Sequence, residues 1–347
     1  MRNMTRILMV LMVALLALSC QRRPFAEHRS RVTLNVIINT DIVNHVQEEL
    51  PENMRVDLYD IKTGQLRYTD YVGPTGGVIY PAPGVYNMLV YSIGTESTII
   101  HNEQHYEQIE AYTNEVSAFI KGQMAQFLAK RAKAARERAA KKYASMLQGG
   151  ESDIKGPQPF EDELVVNQPD HVFVGWSPNL EIPVVYEEDG DIEIYVEVDA
   201  HTLVETWIVE VRNLEGAEWI ASTISLMSGQ KGSVHMGPNV HSDKVVSVFF
   251  DMKLEKREDG GTSLKGKFNT FGIHPDNLAG ATLDLNIQDK GGADFTYHFE
   301  VTDQFENNDK RYILIEQPIV VEEPKVSGGG FQPTVDEWQD VKTEINL

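Results

Sequence analysis

His101-Asn102-Glu103-Gln104-His105 sets two imidazoles four residues apart, the spacing that on a helix would turn both to one face and offer them to zinc. A zinc-protease pattern needs its glutamate directly after the first histidine, whereas here it stands one place later, at Glu103. The other reading is a pair of solvated histidines at a strand-to-helix junction, and no metal is expected. His235 and His241 flank Gly237-Pro238 without an obvious third ligand nearby in sequence. The acidic run Glu187, Glu188, Asp189, Gly190 and Asp191 reads as a solvated hairpin turn rather than a calcium loop. No Gly-x-Ser-x-Gly elbow, phosphate loop or dinucleotide fingerprint occurs. The residue types therefore give no reason to expect an enzyme or a cofactor.

Cys20 is the one cysteine of the 347-residue chain, so no disulfide can form within it. Arg2 and Arg6 precede an apolar run from Ile7 to Leu18, which reads as a secretory signal too short to span a membrane. The run ends in Ala17-Leu18-Ser19-Cys20, which resembles a bacterial lipobox, with alanine where leucine is usual. Three acyl chains on Cys20 would hold the mature protein firmly where one would not. The formal charge of -21 argues against nucleic acid as a partner, because neutralising phosphates takes a basic surface.

The elements that would position such residues are mostly strands. "RVTLNVII" alternates Val32, Leu34, Val36 and Ile38 on one face of a half-buried strand. Lys62-Thr63-Gly64 and Pro81 to Gly84 mark tight turns between the strands that follow. After residue 187 strand follows strand, bounded by Gly, Asp, Asn or Pro, without the helices that a parallel α/β sheet needs. The expected fold is all-β: two β-sandwich domains with one long basic α-helical insertion in the first. The expected segments are a lipoprotein signal peptide (1–19), a tether (20–31) and an N-terminal sandwich (32–186) with the helix at about 114–148. A C-terminal sandwich (187–326) and a glycine-hinged tail (327–347) complete the chain.

The helix is an anomaly, because Lys130, Arg131, Lys133, Arg136, Arg138, Lys141 and Lys142 crowd onto it in an acidic protein. Val116, Phe119, Ile120, Met124, Phe127 and Leu128 form an apolar stripe at helical spacing, which Tyr143, Met146 and Leu147 resume. Two readings stand open: a solvated outer face over a stripe packed on its own sheet, or a cationic face for acidic lipid or an acidic partner, a second copy included.

"TWIVEVRNLEGAEWIASTISLMSGQKGSV", "LKGKFNTFGIHP", "HFEVTDQ" and "GGGFQPTVDEWQDV", in that order, resemble the fimbrillin-like outer-membrane lipoproteins of Bacteroides-type bacteria. "PAPGVYNMLVYSIGTES" is similar to the first domain of members of the same family. The resemblance implies transthyretin-like sandwiches, lipidation at the outer membrane, and a role as fimbrial subunit, anchor or accessory adhesion protein. It also implies other fimbrial subunits or a second copy as partners, with a host or bacterial surface ligand as a further one. In related stalk subunits a protease cuts after an arginine ahead of the first strand, a position that Arg31 or Arg29 matches, and a strand from the next subunit fills the emptied groove.

Gly328 to Gly330 free the tail from conformational restriction, and Val341, Thr343, Ile345 and Leu347 alternate on one face of a candidate donor strand. The seventeen residues after the hinge would reach roughly 55 Å at about 3.3 Å each. Self-packing, with Trp338 as a plug, is the competing reading, as is a glycan- or ligand-binding lipoprotein with Trp176 or Trp219 as a platform. A cell-surface location is expected, with the periplasmic face as the alternative.

Overall fold

The computed structural model describes residues 32–40, 51–133, 137, 164–186, 190–274 and 280–324. In chain order its strands begin β1 (Val32–Thr40), β2 (Met54–Asp60), β3 (Leu66–Val72), β4 (Gly76–Ile79), β5 (Gly84–Ser92), β6 (Thr98–His101) and β7 (Glu110–Thr113). Helix α1 (Ala118–Gln123) follows and, past a turn at Met124, the helical path resumes over 125–133. Then come β8 (Leu164–Val166), β9 (Phe173–Ile182), β10 (Ile192–Thr202), β11 (Glu205–Val211), β12 (Leu214–Glu215), β13 (Ile220–Lys231), β14 (Ser233–His235) and β15 (Val240–His241). The last are β16 (Val245–Phe250), β17 (Met252–Lys256), β18 (Thr262–Thr270), β19 (Thr282–Asp289), β20 (Asp294–Glu300), β21 (Tyr312–Ile315) and β22 (Ile319–Val320).

The described residues form two compact units, one from 32–40, 51–93, 173–186 and 190–201, the other from 94–133, 137, 164–172, 202–274 and 280–324. This division differs from the expected boundary at 186/187. β10 was expected to open the second domain, yet it runs parallel to β1 from Val32 opposite Ile192 to Thr40 opposite Ala200. Alternation gives a strand its face but not its partner, and this partner lies 160 residues away.

The first unit is a seven-stranded sheet in the order β3-β2-β5-β9-β10-β1-β4. Val32, Leu34, Val36 and Ile38 of β1 join Met54, Val56, Leu58, Met88, Val90 and Phe173 in its core. Each such side chain contributes roughly 1.5–3 kcal/mol by leaving water. Gly76 enters β4 with φ +107, and a Cβ there would fall 1.9 Å from the Val36 carbonyl oxygen. Only glycine lets β4 approach β1 so closely.

In the second unit a five-stranded sheet (β20-β19-β13-β16-β8) and a four-stranded sheet (β17-β18-β11-β21) share one core. Val209, Val211, Leu264, Phe268 and Ile313 from one sheet are buried with Val246, Val248, Phe250, Leu283, Leu285 and Ile287 from the other. A further four-stranded sheet (β15-β14-β7-β6) belongs to this unit, as does the short β12-β22 pair. The helix belongs to this unit too, not to the first as expected: Val116, Met124 and Phe127 are buried with Val165 of β8 and Leu226 of β13, and Ile224 and Phe249 pack against them.

Candidate functional site

Along β19, Leu283, Leu285 and Ile287 turn into the sandwich core, so Asp284 and Asn286 between them face the opposite way, toward the helix. Asp284 is wholly buried there. Arg131 donates from Nε to its Oδ2 at 2.5 Å, and His298 Nδ1 on β20 lies 2.5 Å from its Oδ1. A second guanidinium nitrogen of Arg131 donates to Ser247 Oγ on β16. Burying a carboxylate is costly unless it is paired and hydrogen-bonded, and these contacts meet that requirement.

The placement corrects the expectation for Arg131. It was grouped with the cationic outer face, yet it is only 6% exposed and pairs inward. The signal was present in the spacing, since 131 lies four residues after Phe127 and three after Leu128 and so continues the apolar stripe. Lys130 and Lys133 are exposed, as expected of an outer face. Arg136, Arg138, Lys141 and Lys142 lie outside the described residues, as do Cys20, Arg29, Arg31, Trp338, Val341, Thr343, Ile345 and Leu347.

Beside the helix runs a groove of about 570 Å³. Gln123, Gln126 and Lys130 line one wall, Ser222, Asn286, Gln288 and Asp294 the other, with Phe127 and Ile224 among the remaining lining residues. Asn286 donates from Nδ2 to Asp294 Oδ1 at 3.2 Å and accepts from Thr296 Oγ1 at 3.0 Å, so the far wall holds a fixed orientation. No motif marks these residues in the sequence; strand register alone assembles them.

The histidine pairs resolve differently. His101 sits on β6 and not on a helix. Its Nε2 is 2.6 Å from Glu110 Oε2 on β7, and Glu110 is in turn opposite His235 on β14. Burial alone would raise the Glu110 carboxyl, but hydrogen bonds from Ser233 and His101 outweigh it and hold the group below its ordinary value. His241 has a buried Nδ1 without a partner, and burial, with Lys231 nearby, pushes its pKa down to about 4. Among the described residues no group of three or more His, Cys, Asp or Glu side chains is arranged to hold a metal.

Neither tryptophan expected as a platform is freely exposed: Trp176 is half-buried, and Trp219 packs against the second core. Among the described residues the exposed aromatics are Tyr71, Tyr80, Tyr186, Tyr195 and Phe119, the last of which was expected in the apolar stripe of the helix but is 71% exposed. In the connection between β8 and β9, Asp170 Oδ2 accepts from the Ser97 and Thr98 amides at 2.5 and 3.3 Å. His171 bridges Thr202 and Thr206, each at 2.9 Å, and burial lowers its pKa.

Comparison with known proteins agrees with the β-rich architecture. A protein of Bacteroides ovatus named as a candidate fimbrium anchoring subunit, Fim4B, is 37% identical over 115 residues, 33% of either chain. The alignment thus spans about a third of that relative's length. The crystal structure of a candidate adhesin from Bacteroides ovatus has a TM-score of 0.55 at 20% identity, covering 88% of this chain and 98% of that one. It shows a shared fold. The fimbrial anchor protein Mfa2 of Porphyromonas gingivalis has a TM-score of 0.45 at 14% identity, covering 83% of this chain and 90% of its own. The model of a family described as a domain of unknown function, DUF5119, matches residues 19–251, and with well over half of its length covered the chain belongs to that family.

Proposed function

We propose that the chain is a cell-envelope lipoprotein that serves as an anchoring subunit of a fimbrium, held to the outer membrane by acylated Cys20 and catalysing no reaction. The observation that carries this reading is the 37% identity with the relative named as a fimbrium anchoring subunit. The signal-like N-terminus ending at Cys20 supports it, because an anchor needs a lipid or a span, and no helix among the described residues is long and apolar enough to cross a membrane.

The anchoring reading decides between two sequence expectations. A cut after Arg31 or Arg29 would leave β1 in place but sever Cys20 from everything that follows. An anchor must therefore escape the processing that stalk subunits undergo. Its partner would be the neighbouring fimbrial subunit, with the tail strand Val341, Thr343, Ile345 and Leu347 as the donated element, since a strand added to an open edge recovers ladder hydrogen bonds and apolar burial together.

The test is fractionation. Wild-type protein is expected in the membrane fraction at full mature length and Cys20→Ala in the soluble fraction; equal retention of both overturns lipid anchoring. Deleting residues 331–347 is expected to leave membrane attachment intact and abolish co-purification with fimbrial subunits. Undiminished co-purification overturns strand donation.

A further inference from the structure

We propose that the groove between the helix and the outer face of the five-stranded sheet is a binding site for a neutral saccharide. Its helical wall presents Gln123, Gln126 and Lys130 at positions three and seven residues apart, a row about 10 Å long and so longer than one hexose. Among the described residues, no side-chain hydrogen bond or ion pair engages these three, nor Ser222 or Gln288 across from them. Opposite stands the locked pair Asn286 and Asp294, held together at 3.2 Å and braced by Thr296.

The ligand class follows from what this lining can satisfy. Amides and hydroxyls both donate and accept, so burying them beneath an apolar ligand would leave unpaired groups at a cost. A polyanion would meet Asp294 on a chain of net charge -21. A peptide strand laid over β13 and β19 would find no ladder to join, because each of these two strands is already paired on both of its edges. Neighbouring hydroxyls on a sugar ring match the site: one donates to the Asp294 carboxylate, a charge-assisted bond, while the next accepts from a side-chain amide. The apolar face of a ring can lie toward Ala125 and the partly exposed Ile224. The volume of about 570 Å³ is in the range of ligand sites. The site is separate from Trp176 and Trp219 and from the tail.

The experiment titrates the full-length chain with a defined panel of neutral hexasaccharides (cellohexaose, maltohexaose, xylohexaose, mannohexaose and chitohexaose) by calorimetry and ligand-observed NMR. At least one is expected to bind. The Gln126→Leu/Gln288→Leu double variant should weaken that sugar at least ~tenfold, the loss of about two hydrogen bonds. Both substitutions lie on the groove's open walls, and an unchanged melting curve checks that the fold persists. Asp294→Asn should also weaken binding, whereas Tyr186→Ala in the other unit should not. Binding of none of the five sugars, or binding that the groove variants leave unchanged, overturns the proposal. Either outcome leaves the anchoring reading standing, since that reading is tested by fractionation.

Discussion

Two buried carboxylates, one in each unit, meet the same electrostatic demand by different means. In the first unit Asp57 accepts from Arg55 Nε at 2.9 Å, Thr69 Oγ1 at 2.7 Å, Tyr91 Oη at 3.0 Å and Tyr59 Oη at 3.3 Å. Every donor is on β2 itself or on β3 and β5, the strands hydrogen-bonded to it. Once the sheet forms in register, Asp57 is satisfied. Asp284 has only His298 on an adjacent strand; its cationic partner Arg131 stands 153 residues away on the helix. Its satisfaction depends on a docking event that the sheet does not itself enforce. The first arrangement stabilises a sheet, whereas the second makes helix placement a condition for the stability of the sheet's outer face.

The largest expected effect comes from removing the helix's contribution. Arg131→Met should destabilise the second unit by about 3–5 kcal/mol, as is usual when one partner of a buried pair is lost. Adding Asp284→Leu should recover most of that, because an apolar pair of similar size leaves no buried charge. Denaturant unfolding followed by amide exchange resolved to each unit reads both; a deficit below about 1 kcal/mol in the single variant would erase the contrast. Arg55→Met is expected to cost less, about 1–3 kcal/mol, since three hydroxyls still donate to Asp57.

Acid should separate the units as well. His241 titrates at about 4 in the fold against an ordinary 6.5, and its pKa is lowered by burial first and by Lys231 second. As pH falls through 6.5 the unfolded chain takes up a proton that the folded chain refuses, so stability is lost from about 6.5 down to about 4 and levels off below. His171, lowered by burial in the same unit, adds to the same trend. The second unit's melting temperature should therefore drop across this window while the first unit's holds, and His241→Gln should flatten the slope. The smallest effect belongs to the exposed pair of Lys121 and Glu115 at the start of the helix. Glu115→Ala should cost at most about 0.5 kcal/mol in the same unfolding assay, and less at high salt.

The β character and most strand positions were legible because alternation is a local property. Val32, Leu34, Val36 and Ile38 all reach the core that their spacing implies, each at most 4% exposed. The turn at Lys62-Thr63-Gly64 was legible as well: Asp60 Oδ1 accepts from the Thr63 amide at 2.9 Å, and Gly64 takes φ +68. What could not be read was which strand lies beside which. β10 was assigned forward in sequence, although β1 claims it, and the helix was assigned backward although its partners Ile224, Leu226 and Phe249 come a hundred residues later. The groove was invisible for the same reason: Gln126 and Asp294 carry no shared motif and meet only through tertiary packing.

The setting of β1 inside its sheet bears on how the molecule carries load. β1 is flanked on one side by β10 along its whole length and on the other by β4. A tug on Val32 along the strand, from the direction of residue 20, strains those crosslinks in shear, all sharing the force at once. An edge strand peeled sideways would instead lose its bonds one after another, like a zipper. The route from a lipid at residue 20 into the folded body would thus enter at a place that resists being torn out.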